Sequence, residues 1–116
     1  MDYLFDISII IITYNPIWDK LVKTLDSSSI VQKKISFEVI VCDDGSDIKF
    51  KEELQKYFSV KSFKEYKLIF HDRNNGTVSN FYSGLKLASG KYTKVISPGD
   101  YFTETEALGS DPMNKI

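Results

Sequence analysis

A chain of 116 residues holds one domain and is too short for a large two-domain enzyme. A net charge of −1 argues against a broad nucleic-acid surface, and Arg73 is the only arginine among fifteen basic residues, so an arginine fork for phosphate has one local candidate. The 42% hydrophobic content supports a real core, whereas the longest aliphatic run near the start, residues 9–12, is far too short to span a bilayer.

The stretch "LFDISIIIIT", residues 4–13, reads as the first strand, and its unbroken β-branched run predicts burial on both faces, as in a parallel sheet. "YNP" follows, with Asn15 as the expected helix cap and Pro16 as the first helical residue. Trp18, Leu21, Val22 and Leu25 recur at helical spacing, and the serines at 27–29 weaken that helix toward its end. "SFEVIVC", residues 36–42, is strand two. Cys42 is the only cysteine; a buried free thiol is expected, which favours a reducing compartment. Gly45 allows a tight bend, and Ser46 or Asp47 can cap a helix over about residues 47–58, with Phe50, Leu54, Tyr57 and Phe58 on one face.

Strand three is "EYKLIFH", residues 65–71, and "DRNNG" forms the next loop. Val78, Phe81, Leu85 and Ala88 mark the apolar stripe of a third helix, which Gly90 is placed to stop. "KYTKVIS", residues 91–97, is strand four, and Pro98–Gly99 force a turn. Thr103 with Glu106 three residues later is a capping-box pattern for one more short helix, followed by a fraying tail over 103–116. Alternation of strands and helices with long connections predicts a single α/β domain, a parallel sheet in order 3-2-1-4 with helices on both faces.

In that topology the ends of strands one, two and four share one rim, and the order reversal between strands one and four opens a crevice there. The rim carries Thr13, Tyr14 and Asn15, then Asp43 and Asp44, then Ser97 to Asp100. A carboxylate at this place accepts hydrogen bonds from a base N–H or a ribose hydroxyl, and Tyr14 can stack on a base. The plainer alternative is that Asp43 and Asp44 cap and hydrate the turn. Asn75–Gly76 is first a turn signal; Arg73, Thr77, Ser79 and Asn80 could meet an anion at the start of the third helix. His71 is expected to be structural, and Trp18 and Phe81 to be core. No GxGxxG, Walker, CxxC, HExxH or Ser-His-Asp pattern occurs. The acidic arrangement of phosphoacceptor signalling domains is also absent, since strand one ends in "TYN" and strand three in "HDRNNG".

The pieces "SIIIITYNP", "FEVIVCDDGSD", "NNGTVSNFYSGLKLASGKY" and "VISPGDYF", in this order and spacing, resemble the nucleotide-sugar-binding half of a family 2 glycosyltransferase. The likeness covers nearly residues 7–102. It implies a three-layer, Rossmann-like GT-A half domain and a nucleoside diphosphate sugar donor, most often UDP-linked. By matching motif positions it places Thr13 and Tyr14 beside the nucleoside and Asp44 at the uracil edge, with Asp43 supporting the turn. Asn75 and Gly76 would pack near base and ribose. Asp100 matches the last acidic residue of the family's metal-binding stretch, implying Mn²⁺ or Mg²⁺. Two departures stand out. Ser97 and Gly99 occupy positions that are usually acidic, and Phe81–Tyr82 replace an Arg-Asn pair.

Members of the family continue well past this length, and that later portion carries the acceptor surface and the catalytic base. The expectation is therefore a truncated glycosyltransferase-like domain, inactive alone, with no catalytic residue to name. In a longer form it would serve a saccharide or lipid-linked acceptor in polysaccharide synthesis. A cytoplasmic location is expected, with the inner face of the membrane as the setting of the longer form. The alternatives are a non-catalytic interaction module, self-associating through uncovered surface, and another kind of small nucleotide-binding domain.

Overall fold

The computed structural model describes residues 3–32, 35–61, 63 and 65–100. Seven elements follow in order: β1 (Phe5–Thr13), α1 (Trp18–Gln32), β2 (Phe37–Asp43), α2 (Ile48–Val60), β3 (Tyr66–Phe70), α3 (Thr77–Leu87) and β4 (Gly90–Ile96). The four strands form a parallel sheet in the order β3-β2-β1-β4, as expected. The predicted helix from Thr103 and the tail to Ile116 lie outside the described residues.

The isoleucine run of β1 is central because both of its faces must be covered. Ile7, Ile9 and Ile11 join Val39 and Val41 against Leu21 and Leu25 of α1 and Phe50, Leu54, Tyr57 and Phe58 of α2. Ile10, Ile40 and Cys42 face the other way, toward Phe81 and Ala88. The result is three layers, with α1 and α2 on one side and α3 on the other. Each fully buried isoleucine or leucine contributes roughly 1.5–3 kcal/mol. Trp18 packs edge-on against Phe50 and Tyr57, so it is core as expected.

Four local expectations change. The first helix begins at Trp18, not at Pro16. Asn15 cannot cap it, because its φ is 43° and its N–H is bound to Ser46 Oγ at 2.7 Å; Ile17 instead supplies the carbonyl for Lys20 and Leu21. The serines lie inside α1, which runs to Gln32, and Ser27 and Ser28 return their hydroxyls to the Thr24 carbonyl, a local competition with the helix ladder. The stripe of α3 is rotated. Val78 and Leu85 are exposed, while Asn80 and Gly84 are buried against β1 and β2. Gly84 lets this helix approach the sheet closely, so that Phe81 and Ala88 still pack on Ile10, Ile40 and Cys42 while Val78 and Leu85 turn outward. Finally, Gly90 does not stop α3. The helix ends at Leu87, and Gly90 opens β4, where an added Cβ would lie 2.5 Å from Ser8 N.

A buried polar cluster fastens the amino-terminal edge of the sheet. Glu38, 1% exposed, accepts from Ser8 Oγ at 2.7 Å, Lys67 Nζ at 2.7 Å and Ser89 N at 2.6 Å. Burial alone would raise its carboxyl pKa. Lys67, Ser8 and Ser89 more than offset that and hold it below the ordinary carboxylate value. Ser8 Oγ also accepts from Gly90 N, so the cluster links all four strands and leaves the opposite edge for other chemistry.

Candidate nucleotide-binding site

At the carboxyl edge, parallel register places Thr13 opposite Asp43, so β1 and β2 leave the sheet side by side. Successive side chains then point to opposite sides. This explains how two adjacent carboxylates coexist. Asp43 turns inward and is fully buried. Its Oδ1 accepts from Thr13 Oγ1 at 2.7 Å and from Ser46 Oγ, and its Oδ2 accepts from Ser46 N at 2.7 Å. It therefore supports the turn and does not line the cleft described next. Thr13 is likewise engaged, although its surface contributes to that cleft.

Asp44 turns the other way. Its Oδ1 accepts from Asn75 N at 2.8 Å and its Oδ2 from Gly76 N at 2.9 Å, while its own N–H donates to the Thr13 carbonyl at 2.9 Å. One carboxylate thus clamps the loop between β3 and α3 onto the end of the sheet. Gly45 makes the clamp possible. Its φ is +94°, and a Cβ there would sit 2.6 Å from the Arg73 carbonyl carbon and 2.8 Å from Asn74 N. Asp47 then caps α2 by accepting from Phe50 N at 2.9 Å, as expected.

These elements enclose a cleft of about 510 Å³. Tyr14, Asp44 and Gly76 line it with Thr13, and the turn after β4 closes one wall through Ser97 and Pro98. Tyr14 is 52% exposed, so its ring is available to a ligand. Asn75 contributes only its N–H to Asp44; Asn74 is the asparagine that lines the cleft. Sequence reasoning missed Asn74 and also Lys20, which reaches the cleft from the first turn of α1. No local signal marks a lysine on a solvated helix; only the packing of α1 against this edge brings it there. Arg73 is exposed and does not line the cleft.

Asp100 stands apart. Its N–H donates to the Ser97 carbonyl at 2.9 Å and its Oδ2 accepts from Ser97 N at 3.0 Å, so it closes the turn after β4 and lies outside the cleft lining. Among the described residues the donors do not build a metal cage by themselves. One carboxylate is present in the turn, and among the described residues no three His, Cys, Asp or Glu side chains converge. His71 Nε2 lies 2.9 Å from Ser83 Oγ, which itself donates to the Asn80 carbonyl, so the imidazole is satisfied within the fold. Cys42 is buried, and desolvation pushes its thiol up to about 11, partly offset by Ser83, so little thiolate is present at neutral pH.

A family model described as "Glycosyl transferase family 2" matches residues 8–102, most of the chain. The chain belongs to glycosyl transferase family 2. The segments carrying that match, from β1 to the turn after β4, are those that build the cleft. This family 2 domain is also similar to crystal structures of residues 1–349 of S. aureus TarS. The TarS 1–349 structure gives a TM-score of 0.69 at 24% identity over 86% of this chain, and its complex with UDP-GlcNAc gives 0.70 at 24% identity over 86%. A third, the complex of TarS 1–349 with UDP, gives 0.69 at 24% identity over 85%. The family 2 domain spans 28–29% of those TarS chains. At this identity the likeness establishes the shared fold. No curated protein matches the chain in sequence.

Proposed function

We propose that this domain binds the nucleoside diphosphate of a UDP-linked sugar in the cleft at the carboxyl edge of its sheet, as the donor-binding part of a glycosyltransferase. The observation that carries the proposal is Asp44. It is 4% exposed, lines the cleft, and is held rigid by two backbone N–H groups. Each oxygen keeps a second lone pair, and a carboxylate in this position takes a ring N–H donor. Uracil presents such an N–H at N3, where cytosine and adenine present ring acceptors. Tyr14 offers a face for stacking, and Gly76 allows close approach to base and ribose. The complexes of TarS with UDP and UDP-GlcNAc support a ligand of this class.

In glycosyl transfer the acceptor hydroxyl oxygen forms a bond to the anomeric carbon and gives its proton to a general base, while the bond from that carbon to the diphosphate oxygen breaks and UDP leaves. The described residues contribute binding and orientation to that step. Saccharide or lipid-linked acceptors are the proposed second substrates. Titration calorimetry of the folded protein with UDP, CDP and ADP tests the reading. UDP is expected to bind at least about tenfold more tightly than either competitor, in line with the cost of unpairing a buried polar group. Equal affinities, or no UDP binding at millimolar concentration, would refute it.

A further inference from the structure

We propose that Lys20 is the positive charge that holds the donor diphosphate, in place of a cation caged by protein carboxylates. This rests on the nucleotide reading above. Lys20 is the one cationic side chain that lines the cleft among the described residues, and Asp44 is the one anionic side chain. The lining is therefore polar in one sense. A base N–H matches Asp44, and a diphosphate matches Lys20.

The turn after β4 explains why a lysine takes this place. Ser97 and Gly99 carry no charge, and Asp100 spends one oxygen on Ser97 N outside the cleft lining. Lys20 lies against that turn, with its Cδ 3.9 Å from the position of a Cβ on Gly99. Gly99 N donates to Thr24 Oγ1 at 2.9 Å, and Thr24 Oγ1 donates to the Lys20 carbonyl at 3.1 Å. The turn is thereby tied to the backbone of Lys20, whose exposed side chain is free to reach a ligand in the cleft.

Lys20 gains little from its surroundings otherwise. It stands in the first turn of α1, where the helix dipole favours anions and disfavours a cation. Among the described residues no carboxylate forms an ion pair with it. A bound phosphate removes that conflict, because the helix start and the ammonium then attract the same group.

Calorimetry with uridine, UMP and UDP, in EDTA and then with Mn²⁺, decides the matter. Wild-type protein is expected to bind UDP in EDTA within about twofold of its affinity with Mn²⁺, since a counter-charge already in the chain leaves a metal little to add. Lys20→Ala should weaken UDP by roughly tenfold or more while uridine changes by less than about twofold, as expected for loss of one charge-assisted contact to phosphate. Lys20→Arg should retain most UDP affinity. Lys23→Ala, an exposed lysine of the same helix outside the cleft lining, should not change it. Uridine binding with UDP affinity abolished by EDTA, or unaffected by Lys20→Ala, overturns the Lys20 assignment and leaves the nucleotide reading standing. Failure of folded wild-type protein to bind all three ligands overturns both.

Discussion

Replacing Gly84 with alanine sets two energies of opposite sign against each other. In an open helix, glycine to alanine stabilises by about 1 kcal/mol. Here an added Cβ would fall inside contact distance of Cys42 Sγ and 3.2 Å from Ile10 Cγ2. Neither neighbour can withdraw, because both residues are fully buried in the sheet. Overpacking of this kind costs about 1–3 kcal/mol. The strain must be relieved by lifting α3, whose Asn80 Nδ2 donates to the Cys42 carbonyl at 2.7 Å and whose Asn80 Oδ1 already lacks a hydrogen-bond partner. Net destabilisation of about 0–2 kcal/mol is expected, the cost less the helical gain. Removing the sulfur should restore the helical gain. The Cys42→Ala/Gly84→Ala double variant should therefore be more stable than the sum of the two single changes by about 1–3 kcal/mol. Urea unfolding followed by Trp18 fluorescence measures all four proteins, since that ring is packed on Phe50 and Tyr57 and is exposed on unfolding. A Gly84→Ala variant more stable than wild type, or strictly additive single changes, would refute the close approach of α3.

Two further outcomes follow from buried groups. Glu38 has a folded-state pKa below its unfolded value near 4.5, so its contribution is complete above that value and is lost as pH falls through the lower folded value. Glu38→Gln should cost about 2 kcal/mol at neutral pH, less than for a wholly buried pair because Lys67 is partly exposed. That difference should shrink below about pH 4.5 in urea melts, and a difference independent of pH would contradict the assignment. Cys42, with its thiol pushed up to about 11, should resist a thiol-directed disulfide reagent at pH 8 in the native state and react on unfolding; rapid native labelling would show that it is accessible.

Much of the fold could be read from local patterns. The β-branched run at 9–12, the apolar run before Asp43 and the helical spacing from Phe50 to Phe58 each demand one kind of element. Their alternation leaves few topologies, and a parallel β3-β2-β1-β4 sheet is among them. The position of the cleft followed, since the reversal in strand order puts it at the ends of β1, β2 and β4.

The details of the site were a different matter. Whether Asp43 or Asp44 faced the cleft depended on which side of the sheet each side chain took, and on donors more than thirty positions away in the case of Asp44. The place of Asn74 depended on how Gly45 lets the 73–76 loop pass overhead. The rotation of α3 depended on the space left by Gly84, which periodicity cannot report. Lys20 entered the site only because α1 lies against the turn after β4. Element type is a local property, governed by backbone preference and hydrophobic spacing, and the amino-acid order was sufficient for it. Side-chain direction and partnership at a rim are long-range properties, governed by packing and by which distant N–H groups reach a carboxylate, and those the tertiary structure alone decided.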